Sequence, residues 1–330
     1  MILSIESSCD DSSIALTSIV DGELIFEKKI SQITHSHYGG VVPEVAAREH
    51  AKALPLILEE VMPHFPQIKA IAVTHTPGLS LTLLEGVMMA KALCVSLKLP
   101  LIGVNHLYGH MYSLFVGKET TLPQIALLVS GGHTAIFEIR SFDNIAFIGG
   151  SLDDSVGESY DKVAKMLDLG YPGGPAVEEL AREGDENRFR FPVALQEANA
   201  HKIAFSYSGL KNAVRLQINA SRENDTLFED IKDICASFQK AASTHLEQKV
   251  FKVLVKSSVP NVAVVGGVSN NDYIRNRFAK MCAKLDKQLF TPQKQFCSDN
   301  AAMIGRYALE LYRNERFTPY SKLEVSSRFL

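Results

Sequence analysis

Two histidines, His106 and His110, give this sequence its sharpest chemical signal. They follow a short apolar run at 101–104, and side chains four residues apart share one face of a helix, so both rings can reach one metal ion. Zinc proteases use the same spacing, but their motif needs a glutamate directly after the first histidine, where this chain has Leu107. The pair therefore predicts either a metal site or two ordinary, partly buried histidines. Leu107 argues against peptide hydrolysis.

A third metal ligand would have to come from a distant part of the chain, and Asp299 is the candidate. It lies between Ser298 and Asn300, at the predicted start of a helix, where a carboxylate is also a good N-cap. Taken alone, the position favours capping. Together with the histidines, Asp299 would complete a site of two histidines and one carboxylate with open positions, a ligand set that suits Fe(II) or Zn.

Polar turns after predicted strands offer further candidate groups. Asp10 and Asp11 lie in the first hairpin turn, where they either orient a metal-bound water, a phosphate or a nucleophile, or simply form the turn. The glycine-containing turns at 130–133 and 266–271 offer backbone N–H groups to a phosphate or oxyanion, although tight turns need glycine for their shape alone. Neither turn matches a P-loop or a dinucleotide-binding fingerprint. Asp161 lies on a predicted helix, where a solvated carboxylate is the default.

These groups must be positioned by an alternating series of strands and helices. The first series has three antiparallel strands, a long helix, a strand, a helix and a strand, at 3–5, 14–20, 24–30, 43–61, 70–73, 84–97 and 101–104. A similar order returns with strands at 125–129, 134–139, 145–148 and 262–265, the last followed by a turn and a helix. Two such units facing each other are typical of the actin, Hsp70 and sugar-kinase superfamily. We therefore expect an α/β fold of that type, with two duplicated lobes and a central cleft.

The two lobes are expected at 1–122 and 123–299. The second lobe would carry an insertion at about 150–225, which is rich in glycine, proline and charge. A C-terminal segment at about 300–330, helical over 300–312, would pack back on the first lobe. The rest of this segment is typical of an ordinary surface tail.

Composition limits the class of protein. The chain has 330 residues, of which 46% are hydrophobic and 22% charged, as in a globular protein with a well-filled core. A net charge of −3 argues against a basic field over the whole surface, so any nucleic-acid contact would be local. Five scattered cysteines without a C-x-x-C pair predict a reducing cytosol. The most apolar helical stretch carries Glu85, Lys91 and Lys98, so we expect no membrane span.

Nine ordered motifs give the chain a resemblance to a known family. They lie at 5–11, 39–44, 106–110, 129–134, 161–162, 171–175, 205–211, 266–269 and 298–300. In this order they resemble the bacterial tRNA N6-adenosine threonylcarbamoyltransferases, from residue 2 to about 312. One departure concerns the first turn, where the family usually has Asp-Glu and this chain has Asp10-Asp11, which shortens the second carboxylate side chain by one methylene.

The resemblance implies transfer of a threonylcarbamoyl group from threonylcarbamoyl-AMP to N6 of adenosine 37, in tRNAs that read ANN codons, with release of AMP. It implies one divalent metal ion, Fe(II) or Zn, on His106, His110 and Asp299, and an ATP- or AMP-type nucleotide is a further expected ligand of the cleft. We expect Asp10 or Asp11 to act as base or orienter. Substrate contacts are implied at Leu128, Val129, Ser130, Gly131, Gly132, Asp161, Gly174 and Asn271.

The resemblance also implies partners. They are tRNA, a paralogue that lacks the metal site and forms a heterodimer through the first lobe, and a small ATPase. We expect a cytoplasmic location and no membrane partner. The basic residues of the insertion either contact tRNA phosphates or form a solvated charge run, namely Arg188, Arg190, Lys202, Lys211 and Arg215. The helix at 43–61 is either a dimer face or a core face.

Three other functions fit part of the pattern. A small-molecule kinase of the same superfold would use the two turns but leave His106 and His110 without a role. A metallopeptidase would use the histidines, but Leu107 counts against it. A nucleotide-switched assembly protein of the actin type would use the fold alone.

Overall fold

The computed structural model describes residues 1–32, 35, 40–194 and 203–328. Gly39, part of a predicted motif, and Lys202, a predicted phosphate contact, lie outside these residues. The chain divides into two compact units, Met1–Thr121 with Pro292–Leu330 and Leu122–Thr291.

The second boundary between the units lies before Pro292, so residues 292–299 belong to the first unit and not to the second lobe as expected. The packing of Phe296 explains the difference. Its side chain is buried in a cluster of first-unit residues, namely Ala15, Val116, Ala301 and Ala302. Asp299 is thereby held in the same unit as the two histidines.

The strands, in chain order, are β1 (Ile2–Glu6), β2 (Asp11–Thr17), β3 (Leu24–Ser31), β4 (Ala70–Thr76), β5 (Leu101–Asn105), β6 (Gln124–Val129), β7 (Thr134–Ser141), β8 (Asn144–Ser151), β9 (Ala204–Phe205), β10 (Asn261–Val265) and β11 (Gln288–Phe290). The α-helices are α1 (Pro43–Val61), α2 (Ser80–Leu97), α3 (His106–Tyr112), α4 (Val156–Met166), α5 (Gly173–Ala181), α6 (Ser208–Glu223), α7 (Leu227–Leu254), α8 (Asp272–Lys284) and α9 (Ala301–Arg313). Every strand and helix predicted from the sequence is present, with bounds shifted by a few residues.

The first unit is built on a sheet in the order β3-β2-β1-β4-β5. The pairs β1–β2 and β2–β3 are antiparallel, as predicted, whereas β4 pairs parallel with β1 and with β5. The neighbouring central strands β1 and β4 are apolar because both of their faces are covered, and they form a core with α1 and α2. The carboxyl ends of β1, β4 and β5 therefore lie at one edge of the sheet, which is where the candidate residues Asp10 and His106 follow.

The second unit repeats this topology. Its sheet has the order β11-β10-β6-β7-β8-β9, in which β6 pairs antiparallel with β7 and parallel with β10. The region 150–225 contributes α4, α5, β9 and α6, and these helices share one core with α7 and the inner face of the sheet. In both units the first strand thus lies between its own hairpin partner and a later parallel strand.

The tail after α9 is not an ordinary surface segment. The backbone N–H of Thr318 donates to Leu101 O (2.7 Å), and the Tyr320 hydroxyl donates to Leu99 O (2.8 Å). Leu323 is buried in the first-unit core. The expectation was wrong because β5 is an edge strand with unpaired backbone groups, and the tail covers that edge.

By length and hydropathy alone, α2 would fit a membrane span, with a mean hydropathy of 1.5 and 33% of the segment buried. Core helices also meet this criterion, and Val87, Ala90 and Cys94 of α2 pack in the first-unit core. The absence of a membrane span stays a prediction.

Candidate functional site

The histidine pair is positioned by a strand that turns directly into a helix. Strand β5 ends at Asn105, whose side-chain Oδ1 accepts hydrogen bonds from the N–H groups of Leu107 (2.9 Å) and Tyr108 (3.4 Å) and so caps α3. Gly109 allows α3 to approach α9 closely, since a Cβ at this position would lie 2.7 Å from Ile304 Cδ1. The helix therefore presents its histidines next to the loop that precedes α9.

Asp299 lies in that loop and completes the cluster. Asp299 does not cap the helix, because Asn300 takes this role and accepts a hydrogen bond from Met303 N (2.8 Å). The Asp299 carboxylate is left to face the histidines, with Oδ1 at 3.1 Å from His110 Nε2 and 3.5 Å from His106 Nε2. One ligand atom from each of the three residues lies within 4.8 Å of the others.

The surroundings of His110 fit a metal ligand. The side chain is fully buried, and neither ring nitrogen forms a hydrogen bond of good geometry among the described residues. Buried polar atoms are almost always satisfied in folded proteins, so an unsatisfied ring nitrogen beside a carboxylate fits the residue set of a metal site. Burial also lowers the pKa of His110, which favours the neutral imidazole that binds metals.

Carboxylates dominate the electrostatics of His106. Burial by itself lowers the pKa of this histidine, but the carboxylates of Glu6 and Asp299 outweigh burial and raise the pKa to about 9. Burial tends to raise the pKa of Asp299, yet the two histidines hold it well below its usual range. The carboxylates of Glu6 and Asp299 therefore give the cluster a negative potential that attracts a cation.

Sequence reasoning missed two residues that support the cluster. Glu6 is fully buried at the end of β1, with Oε2 at 3.1 Å from His106 Nδ1. A carboxylate closing an apolar strand was the signal that could have identified it. Lys29 Nζ donates to Asp11 Oδ2 (3.0 Å), Ser298 Oγ (3.0 Å) and Asp299 O (3.3 Å), and so ties the Asp299 loop to the first hairpin. No local pattern marks this lysine.

The two aspartates of the first turn have different surroundings. Asp11 Oδ2 pairs with Lys29, and its Oδ1 accepts a hydrogen bond from Ser31 Oγ (2.5 Å). Burial raises the pKa of Asp10, and the nearby Asp299 carboxylate raises it further. The neighbouring Cys9 thiol tends to lower the pKa of Asp10 but does not outweigh the two effects that raise it. Burial also raises the pKa of Asp11, although Lys29 opposes this effect.

The second unit presents the glycine turn between β6 and β7. Ser130 closes the turn, with its N–H bonded to His133 O (2.8 Å) and its Oγ accepting from His133 N (3.0 Å). Gly131 and Gly132 are exposed and have free space at the Cβ position. Leu128 and Val129 are fully buried in β6, which is paired with β7 and β10, so their substrate contacts stay predictions.

Gly174 and Asn271 lie at helix starts of the same unit, and Asp161, within α4, is bonded to one of these starts. Asp161 Oδ1 accepts a hydrogen bond from Gly173 N (2.7 Å), the first residue of α5, and Gly174 has free space at its Cβ position. Asn271 caps α8, because its Oδ1 accepts from Ile274 N (2.9 Å) while its Nδ2 donates to Gln239 Oε1 (2.8 Å). The side chains of Asp161 and Asn271 thus have structural roles, and their substrate contacts stay predictions.

Solved structures with the same fold include full-length HypF in its phosphate- and nucleotide-bound form, with a TM-score of 0.64 and 14% identity. That match covers 96% of this chain and 47% of HypF, so the chain spans about half of the HypF length. The activator of 2-hydroxyisocaproyl-CoA dehydratase from Clostridium difficile matches with a TM-score of 0.54 and 12% identity, over 96% of both chains. These matches confirm the predicted α/β fold of the actin, Hsp70 and sugar-kinase type.

Sequence comparison is more specific. The profile of the family described as tRNA N6-adenosine threonylcarbamoyltransferase matches residues 23–306. Proteins of that name are 58% identical in a Nitratiruptor species, over 99% of both chains, and 57% identical in Wolinella succinogenes, over 99% of this chain and 98% of the relative. The Helicobacter pylori protein is 53% identical over 100% of this chain and 98% of its own. This chain therefore belongs to the tRNA N6-adenosine threonylcarbamoyltransferase family.

Proposed function

We propose that this protein transfers the threonylcarbamoyl group of threonylcarbamoyl-AMP to N6 of adenosine 37 in tRNAs that read ANN codons, with release of AMP. One observation carries the proposal. A chain related over its whole length to tRNA N6-adenosine threonylcarbamoyltransferases keeps two histidines and an aspartate of suitable chemistry in one cluster. The donor, the position of the adenosine and the codon class rest on the resemblance of the motifs.

The reaction joins N6 of the adenine to the carbamoyl carbon and breaks the bond between that carbon and a phosphate oxygen of AMP. An exocyclic amine is a weak nucleophile, so the protein must stabilise negative charge on the carbamoyl oxygen and accept the proton that N6 loses. AMP is a good leaving group, and orientation of the two substrates therefore supplies much of the rate.

His106, His110 and Asp299 would hold one divalent metal ion per chain, Fe(II) or Zn, through two imidazole nitrogens and a carboxylate oxygen. Such an ion, when bound, supplies a positive charge that orients and polarises the donor. Asp10 is the better candidate for the proton acceptor, because Asp11 is already bonded to a lysine and a serine. Asp11 then orients the turn.

In the second unit, the exposed turn at 130–132 would bind the phosphate or the carbamoyl oxygen of the donor through backbone N–H groups. The proposed contacts at Leu128 and Val129, which are buried in β6 directly before this turn, rest on the resemblance of the motifs. Asp161, Gly174 and Asn271 are the further proposed contacts of the donor, or of an ATP- or AMP-type nucleotide.

We further propose that tRNA binds through a local group of basic residues, because the chain as a whole is slightly acidic. Arg188, Arg190 and Arg215 are exposed and suit phosphate contacts. Lys211 is already bonded to the Asp154 carboxylate, so it suits a structural role better.

Two proteins are further proposed partners, a small ATPase and the paralogue that lacks the metal site. We also propose a cytoplasmic location.

The paralogue that lacks the metal site would bind the outer side of α2. Four exposed apolar side chains follow one side of this helix at spacings of three, four and seven, namely Leu81, Leu84, Met88 and Val95. Such a row is typical of a helix that packs against a partner helix. The alternative face on α1 buries Leu54, Ile57 and Val61 in the first-unit core.

The test is nucleoside mass spectrometry of unmodified tRNA after incubation with this protein, its two partners and preformed threonylcarbamoyl-AMP, in parallel with a His106→Ala variant. We expect threonylcarbamoyl-adenosine with the unchanged protein and none with the variant. If neither protein makes the nucleoside while the partners are shown to be active, the proposal is wrong. Rapid phosphorylation of a small molecule without tRNA would favour the kinase alternative.

A further inference from the structure

Glu6 has the surroundings of a built-in orienting group. Its carboxylate is fully buried, which is costly unless each oxygen is hydrogen-bonded. Oε1 accepts from the backbone N–H of Ser8 (2.6 Å), and Oε2 accepts from the hydroxyl of Thr74 (2.5 Å) and lies 3.1 Å from Nδ1 of His106. The donors come from β4, α3 and the turn after β1, so the carboxylate is fixed from three sides.

The contact with His106 Nδ1 decides which ring nitrogen of this histidine carries the proton. The distances to Ser8 N and Thr74 Oγ1 are those of donors to an ionised carboxylate. An ionised oxygen 3.1 Å from Nδ1 requires a hydrogen on that nitrogen, since two lone pairs would repel each other. Ser8 Oγ, also 3.1 Å from Nδ1, can share that hydrogen as a second acceptor.

We infer that Glu6 is a positioning residue that keeps the proton of His106 on Nδ1 and thereby leaves Nε2 free to bind the metal ion. Nε2 is the nitrogen that lies 3.5 Å from Asp299 Oδ1, on the side of the proposed ion. Carboxylates that hold metal-binding histidines in this way raise the basicity of the ligand and fix the ring. The inference rests on the metal site of the proposed function but not on the transfer reaction.

Glu6→Gln is the informative substitution because it replaces one accepting carboxylate oxygen by a donating NH₂ group and keeps the size of the side chain. The amide cannot accept from both Ser8 N and His106 Nδ1 with the same oxygen. If its oxygen stays with Ser8, its NH₂ group faces Nδ1 and donates to it, which moves the histidine proton to Nε2. The ligand nitrogen would then be blocked.

The experiment measures zinc affinity by competition with a chelator, in purified protein without tRNA or partners. We expect Glu6→Gln to weaken zinc binding by roughly 10- to 100-fold. Glu247→Gln is the matched control. Glu247 accepts a hydrogen bond from Arg277 in the second unit (3.0 Å) and does not contact the triad of His106, His110 and Asp299. The control should bind zinc with unchanged affinity.

Nitrogen NMR of the histidine rings gives a second readout that needs no activity. At alkaline pH without zinc, where the His106 ring is neutral, Nδ1 of the unchanged protein should carry the single ring proton, and in Glu6→Gln this proton should move to Nε2. Unchanged zinc affinity in the variant, or an unprotonated Nδ1 in the unchanged protein, would overturn the inference. If Glu6→Gln does not fold, Thr74→Val removes one donor to Glu6 and should still weaken zinc binding measurably, whereas unchanged affinity would count against Glu6.

These results separate the inference from the proposed function. A protein that binds zinc as described but does not modify tRNA would refute the transfer reaction and leave the role of Glu6 intact. If the unchanged protein modifies tRNA and Glu6→Gln binds zinc with unchanged affinity, the transfer reaction stands and the role of Glu6 is refuted.

Discussion

Asp10 and Asp11 are neighbours in one turn, yet their side chains have different tasks. Asp11 accepts hydrogen bonds from Lys29 and Ser31 and so joins the start of β2 to the end of β3. Asp10 has a carboxylate whose proton affinity is raised by burial and then by Asp299. A base with a raised pKa is a better proton acceptor than an ordinary aspartate. The two residues can therefore be separated by experiment.

Asp10→Asn should lower the single-turnover transfer rate by roughly 10²- to 10⁴-fold, because the amide cannot accept the proton. Asp11→Asn should instead lower the free energy of unfolding by about 1–3 kcal/mol, because Lys29 loses its charged partner in a partly buried site. Rapid-quench kinetics and urea denaturation measure the two effects. Equal loss of rate without loss of stability in Asp11→Asn would contradict this division.

His245 makes the second unit sensitive to acid. This buried histidine accepts a hydrogen bond from Ser206 N at Nε2 (3.1 Å), and burial, assisted by Lys249, lowers its pKa from 6.5 to about 4. Between those values the unfolded chain binds a proton that the folded chain refuses, so stability falls as the pH falls. The full effect is on the order of 3 kcal/mol.

His245→Gln retains an acceptor but cannot titrate. Its free energy of unfolding should therefore fall less than that of the unchanged protein when urea denaturation is compared at about pH 7 and about pH 4.5. The same fall in both proteins would show that His245 is protonated in the folded state.

At the scale of elements, the tail after α9 is predicted to stabilise the first unit. Leu323→Ala should lower the free energy of unfolding by about 2–5 kcal/mol, because the leucine is buried in the core beside β5. Phe228→Ala, at a side chain that is 93% exposed, is the control and should change stability by less than about 0.5 kcal/mol. Thermal or chemical denaturation measures both. Equal stability of the two variants would mean that the tail contributes little.

The strands and helices that the sequence predicted were recognisable because each carries its own period of apolar residues, and the histidine pair because both members lie on one helix. The role of Glu6 was not, since it depends on Thr74 and His106, which are far away in the chain. Capping by Asp299 stayed an open alternative in the sequence, because aspartate suits an N-cap position and only the fold shows that Asn300 takes it. The packing of the tail after α9 was not predictable either, because the apolar residues of this segment follow neither a helical nor a strand period.

For the whole molecule, charge and apolar surface point to different partners. The slightly acidic chain has no general attraction for tRNA, so binding must depend on a few phosphate contacts and weaken only moderately with salt. The apolar row on α2, by contrast, gains from burial and is insensitive to salt. Protein association and tRNA association should therefore respond to different substitutions.

Leu84→Glu together with Met88→Glu should abolish binding of the proposed paralogue partner. These side chains are 44% and 56% exposed at the middle of the apolar row, and two buried carboxylates without partners would cost several kcal/mol. Sedimentation of the mixed proteins measures the complex, and chelator competition measures the zinc affinity, which should not change because neither residue contacts the triad.

Val20→Glu provides the matched control, since Val20 is 88% exposed in the same unit but lies after β2 and not on α2. It should leave the complex intact. If the double variant still forms the complex with unchanged affinity, the paralogue binds another surface. If it loses the complex and the tRNA transfer together while keeping zinc, the partner is needed for the reaction and not for the metal site.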